Sequence, residues 1–303
     1  MLKTRLVVGG LLIAALAALA AVDSAFPVVW IASQRIGPGA ILIFVALLPI
    51  SVILAGEFSR LTGSHPAGSN FRVGGGQPLS RWLSYLAIAS GVASVALAQE
   101  LLPAHLVAPA LLSTPFVLVT LCALNHARSK QVAGLAHAVG STLLAYGAIG
   151  VPLGFWILLR HDRDAWTLAG AILCVKSADI GAYFAGCAIG RHKMVPWLSP
   201  AKTWEGFLAG VAVSAGVGWA LAVASQSAAA ANAFVEPVAI GYAVVVAVII
   251  GVVGTCGDLF ESCLKREAGV KDSGTILPGM GGLYDVFDSL LPAGPLAWWL
   301  LTR

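Results

Sequence analysis

Between Gly257 and Ser289 the chain reads GDLFESCLKREAGVKDSGTILPGMGGLYDVFDS, and nine of these residues ionise: Asp258, Glu261, Lys265, Arg266, Glu267, Lys271, Asp272, Asp285 and Asp288. In a protein whose charged fraction is only 11%, such a density beside apolar runs is costly and marks a functional site by default. Read as a helix continuing out of the preceding apolar run, Asp258, Ser262 and Lys265 fall at i, i+4 and i+7 on one face, flanked by Glu261 and Arg266. Pro278, Gly279, Gly281 and Gly282 then break the chain, and Asp285 and Asp288 open the next apolar run at i and i+3. Three carboxylates at two neighbouring helix ends, Asp258, Asp285 and Asp288, form a hard oxygen site suited to Mg²⁺. That ion takes one or two carboxylates and completes its shell with waters and substrate phosphates. Lys265, Arg266 and Lys271 add the positive charge a di- or triphosphate requires. Two plainer readings compete. Cations at a cytoplasmic helix end commonly set topology against lipid headgroups, and acidic residues are favoured in a helix's first turn. These explain the cations well, but not why Asp258 and the Asp285/Asp288 pair flank the same turn at membrane depth.

A second constellation lies in CVKSADIGAYFAGCAIG, where Lys176 and Asp179 stand at i and i+3 inside a stretch otherwise able to cross a bilayer. Buried charges of this kind must pair or line a wet cavity. Either the two neutralise each other and tether helices, or Asp179 shares a cavity with the polar island while Lys202 enters from the following loop.

The elements that position these groups follow from composition. The chain has 303 residues, 58% of them hydrophobic, and a mean hydropathy of +0.88. Soluble domains are about 45–50% apolar and about 25% charged, so this is a polytopic, all-α membrane protein whose helices pack on one another in lipid. The 34 glycines suit that packing, since small residues let such helices approach closely. A net charge of +4 is too small to point to nucleic acid. Five scattered cysteines without a CxxC pair indicate neither a disulfide framework nor a zinc site. The basic-then-apolar N-terminus resembles a signal peptide, but the many spans that follow favour a retained first helix.

At about 20 residues per span, nine segments are expected, near 7–22, 38–55, 83–99, 104–125, 132–158, 165–187, 206–225, 236–257 and 282–300. With the N-terminus inside, thirteen cations lie on the inner side (Lys3, Arg5, Arg60, Arg72, Arg81, Arg128, Lys130, Arg191, Lys193, Lys202, Lys265, Arg266, Lys271) and four on the outer (Arg35, Arg160, Arg163, Arg303). The positive-inside rule then puts the long polar loops, and any site they build, on the cytoplasmic face. Residues 1–165 form the less diagnostic N-terminal helices, and 166–303 the region carrying the chemistry. The Gly- and Ser-rich connector from Glu57 to Arg81 contains GGG, but lacks the Lys-Ser/Thr and helix of a phosphate-binding loop. No internal repeat suggests an inverted-repeat transporter, although a Lys–Asp pair in mid-span would serve a transporter as a relay.

Three segments together resemble the phosphatidate cytidylyltransferase (CDP-diacylglycerol synthase) family. SPAKTWEG, Ser199 to Gly206, is similar to its SPKKTWEG; DIGAYFAG, Asp179 to Gly186, matches the segment just upstream. The island matches its signature, with Ser262-x-x-Lys265-Arg266, Lys271-Asp272, Leu277-Pro278-Gly279, Gly281-Gly282 and Asp285-x-x-Asp288 in order and spacing. The resemblance is dense over about 179–289. It implies transfer of a cytidylyl group from CTP to phosphatidic acid, giving CDP-diacylglycerol and pyrophosphate, by a dimeric enzyme of the inner (plasma) membrane that depends on Mg²⁺. Whether a second metal or K⁺ is also needed stays open. By the same resemblance Asp258, Asp285 and Asp288 are metal ligands or their supports. Lys202, Lys265, Arg266 and Lys271 hold the triphosphate and the lipid phosphate, and Asp272 orients one of those lysines. Asp179, Ser262 and Lys176 complete the substrate side. The family pattern has PGHGG and D-R-x-D where this chain has Met280 and Val286. A lost histidine is survivable, because a phosphate monoester with a second pKa of about 6 is already largely ionised as a nucleophile. The lost arginine matters more, and Lys176 is the candidate for its charge. A nucleotidyltransferase for another lipid phosphate, or a silent paralogue that only binds lipid or CTP, fits the same residues.

Overall fold

Long apolar runs have one stable option in a bilayer, a helix that satisfies its own backbone, and helices dominate this chain. The computed structural model describes residues 29–31, 34–36, 38–63, 81–96, 102–128, 130, 134–231 and 238–303, with positions 14, 18 and 21 besides. The expected span 7–22 falls almost entirely outside the described residues, as do connector residues 64–80 with Arg72. Among the described residues, five helical stretches are long and apolar enough to cross a membrane: His105–Arg128, Leu135–Asp162, Ala165–Ile189, Trp204–Ala228 and Ile240–Glu267. The chain divides into two units, one of residues 1–162 with 263–287, the other of 163–262 with 288–303.

In the first unit a short hairpin, β1 (Val29–Ile31) and β2 (Gln34–Ile36), pairs antiparallel with Trp30 opposite Arg35. Helices α1 (Pro38–Gly63), α2 (Arg81–Ala96), α3 (Ala104–Arg128) and α4 (Leu135–Leu144) follow; α4 passes through a π-helical turn, Ala145–Gly150, into α5 (Val151–Asp162). The π turn is where α2 comes closest. A Cβ on Gly150 would lie 2.6 Å from the Ile88 carbonyl oxygen, and one on Gly91 would lie 2.8 Å from the Gly150 backbone. Polar ties reinforce the apolar packing: the hydroxyls of Ser94 and Tyr146 lie 3.2 Å apart, and Tyr146 donates to the Leu111 carbonyl at 3.3 Å.

The second unit is built on α6 (Ala165–Ile189), α7 (Trp204–Ala231) and α8 (Ile240–Glu267). Asp164 caps α6, accepting from the Thr167 amide at 2.6 Å. Glycines allow α6 and α7 to touch through their backbones. A Cβ on Gly210 would sit 2.5 Å from the Ala178 carbonyl oxygen, and one on Gly206 would sit 2.7 Å from that of Ala182. Ser214, fully buried on α7, brings its hydroxyl within 3.0 Å of the Cys174 carbonyl on α6 and 2.9 Å of the Ala247 carbonyl on α8. Gly210→Val is expected to destabilise the protein by about 1–3 kcal/mol, because the carbonyl it meets belongs to a helix and cannot swing aside. Thermal unfolding in detergent measures this.

Two elements differ from the sequence expectation. Between α6 and α7, where a loop carrying Lys202 is expected, the chain forms a second hairpin, β3 (Lys193–Val195) and β4 (Ser199–Thr203), with Lys193 opposite Thr203 and Val195 opposite Ser199. The expected last span, 282–300, is two helices, α9 (Tyr284–Phe287) and α10 (Leu290–Leu301). A helix of α10's 12 residues rises about 18 Å, well short of a hydrocarbon core of about 30 Å. The break falls at Asp288 and Ser289, two residues whose polar groups are used at the site.

Candidate active site

The polar island begins, as expected, on a helix. α8 carries Asp258, Glu261, Ser262 and Lys265 and ends in a Schellman motif at Gly269 (φ 69°). There the Val270 amide donates to the Lys265 carbonyl at 2.9 Å and the Gly269 amide to that of Arg266 at 3.0 Å. Beyond it the Leu277-to-Gly281 turn closes on itself, with the Leu277 amide donating to Gly281 at 2.9 Å and the Gly281 amide returning to Leu277 at 3.1 Å. Gly279 and Gly281 take φ of 79° and 98°, the left-handed region in which glycine alone is free of strain.

In the second unit, three helices and the hairpin bring charges together inside an apolar frame. Lys202, on β4, places Nζ 3.2 Å from Oδ2 of Asp258 on α8. Asp258 and Asp288 are within hydrogen-bond reach of one another. On α6, Lys176 Nζ donates to Ser289 Oγ at 2.7 Å and to Asp179 Oδ2 at 3.2 Å, and Ser289 Oγ donates to the same Asp179 oxygen at 2.8 Å. The Ser289 amide donates to Asp288 Oδ1 at 2.6 Å. The charges of Asp179, Asp288 and Asp258 all act on Lys176. Five ionisable groups, Lys176, Asp179, Lys202, Asp258 and Asp288, thus form one cluster, and Lys176 and Asp179 are more than a self-neutralising pair. Ser262 is half-buried on α8 in the same unit.

The hairpin is fixed at its root, which fixes Lys202. Thr203 Oγ1 accepts from the Gly206 amide at 3.1 Å, capping α7. The Glu205 carboxylate in α7's first turn accepts from the Arg191 and His192 amides at 3.2 and 3.1 Å, and from the His192 ring at 2.5 Å.

The first unit holds a different arrangement. Lys265 Nζ donates to Asp285 Oδ1 at 2.7 Å. Oδ2 of Asp285 accepts from the Ser273 amide (2.9 Å), the Ser273 hydroxyl (2.8 Å) and the Gly282 amide (2.7 Å). With four donors on its two oxygens, Asp285 orders the loop and holds Lys265. Asp272, expected to orient a lysine, is exposed, as are Lys271 and Arg266. Among the described residues no group of three or more His, Cys, Asp or Glu side chains is arranged to hold a metal.

Asp285's environment has a consequence for pH. Burial alone would raise its pKa, but the Lys265 hydrogen bond and charge, the Gly282 amide and the Ser273 hydroxyl outweigh burial and hold it below the ordinary carboxylate value of 3.8. A lowered folded-state pKa contributes stability that is full above the unfolded value and lost as pH falls through the folded one. Amide protection at Ser273 and Gly282, corrected for intrinsic exchange, is expected to stay flat from pH 7 to about 4 and to fall only below that.

Three participants were not singled out in the sequence. Ser289 follows an aspartate and reads as a cap. Ser273 lies in a polar loop. Glu57, fully buried on α1, closes an apolar run, and its carboxylate accepts from the amides of Leu283 and Tyr284 at 3.0 and 2.8 Å.

Known proteins share much of this sequence. The profile described as "Cytidylyltransferase family" matches residues 8–303. A phosphatidate cytidylyltransferase of Bacillus subtilis (strain 168) is 39% identical over 165 residues, 54% of this chain and 58% of that protein. One from Brucella suis biovar 1 is 41% identical over 143 residues, 46% and 49% of the two chains. One from Mycobacterium leprae is 35% identical over 161 residues, 51% and 47%. The matches span about half the length of these curated relatives.

Proposed function

The chain belongs to the cytidylyltransferase family, and from that premise we propose that it transfers a cytidylyl group from CTP to phosphatidic acid, forming CDP-diacylglycerol and pyrophosphate at the cytoplasmic face of the inner membrane. The observation that carries this reading is the cluster of Lys202, Asp258, Asp288, Lys176, Asp179 and Ser289, charged groups gathered among helices able to span a membrane. Two substrates of opposite solubility require chemistry at such a place.

Asp258 and Asp288 fit Mg²⁺. Two adjacent acidic groups in an apolar setting repel unless a cation or a shared proton lies with them, and Mg²⁺ asks for no more than one or two carboxylates when phosphates fill its remaining positions. When bound there, the ion would neutralise charge on the CTP phosphates. The protein's own groups do the rest by position and charge, as phosphoryl-type transfer requires. Lys202, fixed by the hairpin, and Lys176, held by Asp179 and Ser289, screen the repulsion between lipid phosphate and triphosphate. Lys265, aimed by Asp285, and the exposed Arg266 and Lys271 bind the triphosphate. An oxygen of the lipid phosphate attacks the α-phosphorus in line, and the bond to the pyrophosphate oxygen breaks. No general base is needed, because the attacking monoester is already largely ionised at neutral pH. Homodimerisation, expected from the family, belongs to the same reading.

The test uses the full chain, purified and reconstituted in vesicles of phosphatidylcholine with phosphatidic acid. Labelled CTP and Mg²⁺ should yield CDP-lipid and an equal amount of pyrophosphate. CTP binding without product would instead identify a silent paralogue, and product only with another lipid phosphate would move the specificity.

A further inference from the structure

The fully buried carboxylate of Glu57 stands apart from every residue so far given a role at the site. Its neighbours on α1, Leu54, Ala55 and Phe58, are likewise fully buried. A carboxylate there is tolerated only with strong hydrogen bonds. Those it has all come from the island, more than two hundred residues along the chain and within the same unit: the Leu283 amide on Oε1 at 3.0 Å and the Tyr284 amide on Oε2 at 2.8 Å, with the Ser273 hydroxyl, whose single proton it shares with Asp285, 3.2 Å from Oε2. The loop is shaped around it. A Cβ on Gly274 would come 2.5 Å from Oε1, and one on Gly282 would come 2.6 Å from Oε2. Phe58, the next residue, meets the ring of Tyr284 edge-on at 6.5 Å.

These contacts continue to a cation. The Ser273 hydroxyl lies between two carboxylates, 3.2 Å from Glu57 and 2.8 Å from Asp285, and Asp285 holds Lys265 Nζ at 2.7 Å. Gly282, whose amide also binds Asp285, is immediately followed by the two residues whose amides bind Glu57. One side chain of the N-terminal half therefore fixes both sides of the Asp285 pocket. We propose that Glu57 is a positioning residue for the triphosphate, acting through Ser273 and the 282–284 backbone to hold Asp285, and through it Lys265, in place. This rests on the reading that Lys265 binds CTP.

The test compares wild type with Glu57→Gln, which keeps the volume but turns an amide NH₂ towards backbone donors. Ser273→Ala serves as a second variant that removes only the bridging hydroxyl. Hydrogen exchange at Leu283 and Tyr284 should accelerate about tenfold or more in Glu57→Gln, as expected for losing a charge-assisted bond. KM for CTP should rise by a similar factor, while KM for phosphatidic acid stays within about twofold. Ser273→Ala should shift KM for CTP in the same direction by less. Faster exchange with an unchanged KM for CTP would make Glu57 a structural latch only, and unchanged exchange would refute the latch itself. Equilibrium dialysis with labelled CTP repeats the comparison without turnover. If wild type makes no CDP-lipid, the functional reading fails, and exchange with CTP affinity still judges Glu57.

Discussion

Asp258→Asn will cut CDP-lipid formation by on the order of 10²–10³-fold while leaving thermal stability unchanged or slightly raised. The two effects separate if Asp258 serves the proposed chemistry rather than the fold. It sits within hydrogen-bond reach of Asp288 and 3.2 Å from Lys202. Asn keeps its shape but takes one carboxylate out of a crowded acidic pair, which offsets the ion pair that Lys202 loses. The same change halves the carboxylate charge available to a divalent ion, so the Mg²⁺ concentration for half-maximal rate should also rise. Initial rates with labelled CTP across a Mg²⁺ series, beside unfolding curves in detergent, measure both. Activity within about tenfold of wild type would remove Asp258 from the proposed mechanism.

The second large effect is expected at Lys176. Lys176→Met retains most of the apolar stem and deletes the charge that Asp179, Asp288 and Asp258 all share. Turnover should fall by about 10²-fold or more, the scale of one preorganised electrostatic contact, and Lys176→Arg should recover part of it. A mere tether between helices would behave differently: Lys176→Met would lower the unfolding temperature and leave kcat alone. Loss of kcat at preserved stability would identify Lys176 as supplying the charge that Val286 does not.

Much of the site was legible because charge in an apolar chain is informative in itself. Lys176, Asp179, Lys202, Asp258 and Asp288 stand out by type against their surroundings, and the structure gathers them in one cluster. The helical face of Asp258 and Lys265 followed from periodicity, but the break, expected at Pro278 to Gly282, begins earlier, at Gly269. Beyond the Lys176–Asp179 pair, what could not be read was the partner of each group. Asp285 and Asp288 share spacing and chemistry, but Asp285 receives amides from a loop whose path no periodicity encodes. Glu57 looked like the first residue of a solvated connector, because a lone carboxylate at the end of an apolar run gives no sign of which distant amides it meets. The β3–β4 hairpin was hidden by Pro196 and Pro200, which suit a broken connector equally well. The final run, 282–300, was apolar enough to suggest a crossing, but the polar bonds of Asp288 and Ser289 divide it.

The backbone contact between α6 and α7 limits how the second unit can move. Where a glycine meets a carbonyl there is no side chain to repack, so at Gly206 and Gly210 neither helix slides or tilts against the other without a clash. Lys176 and Asp179 ride on one, and Lys202 is anchored to the start of the other, so these three form a stationary jaw of constant span. α8 is tied to the same frame, with Ser214 reaching the Ala247 carbonyl and Gly218 facing that of Ala243, so Asp258 too keeps its distance from that jaw.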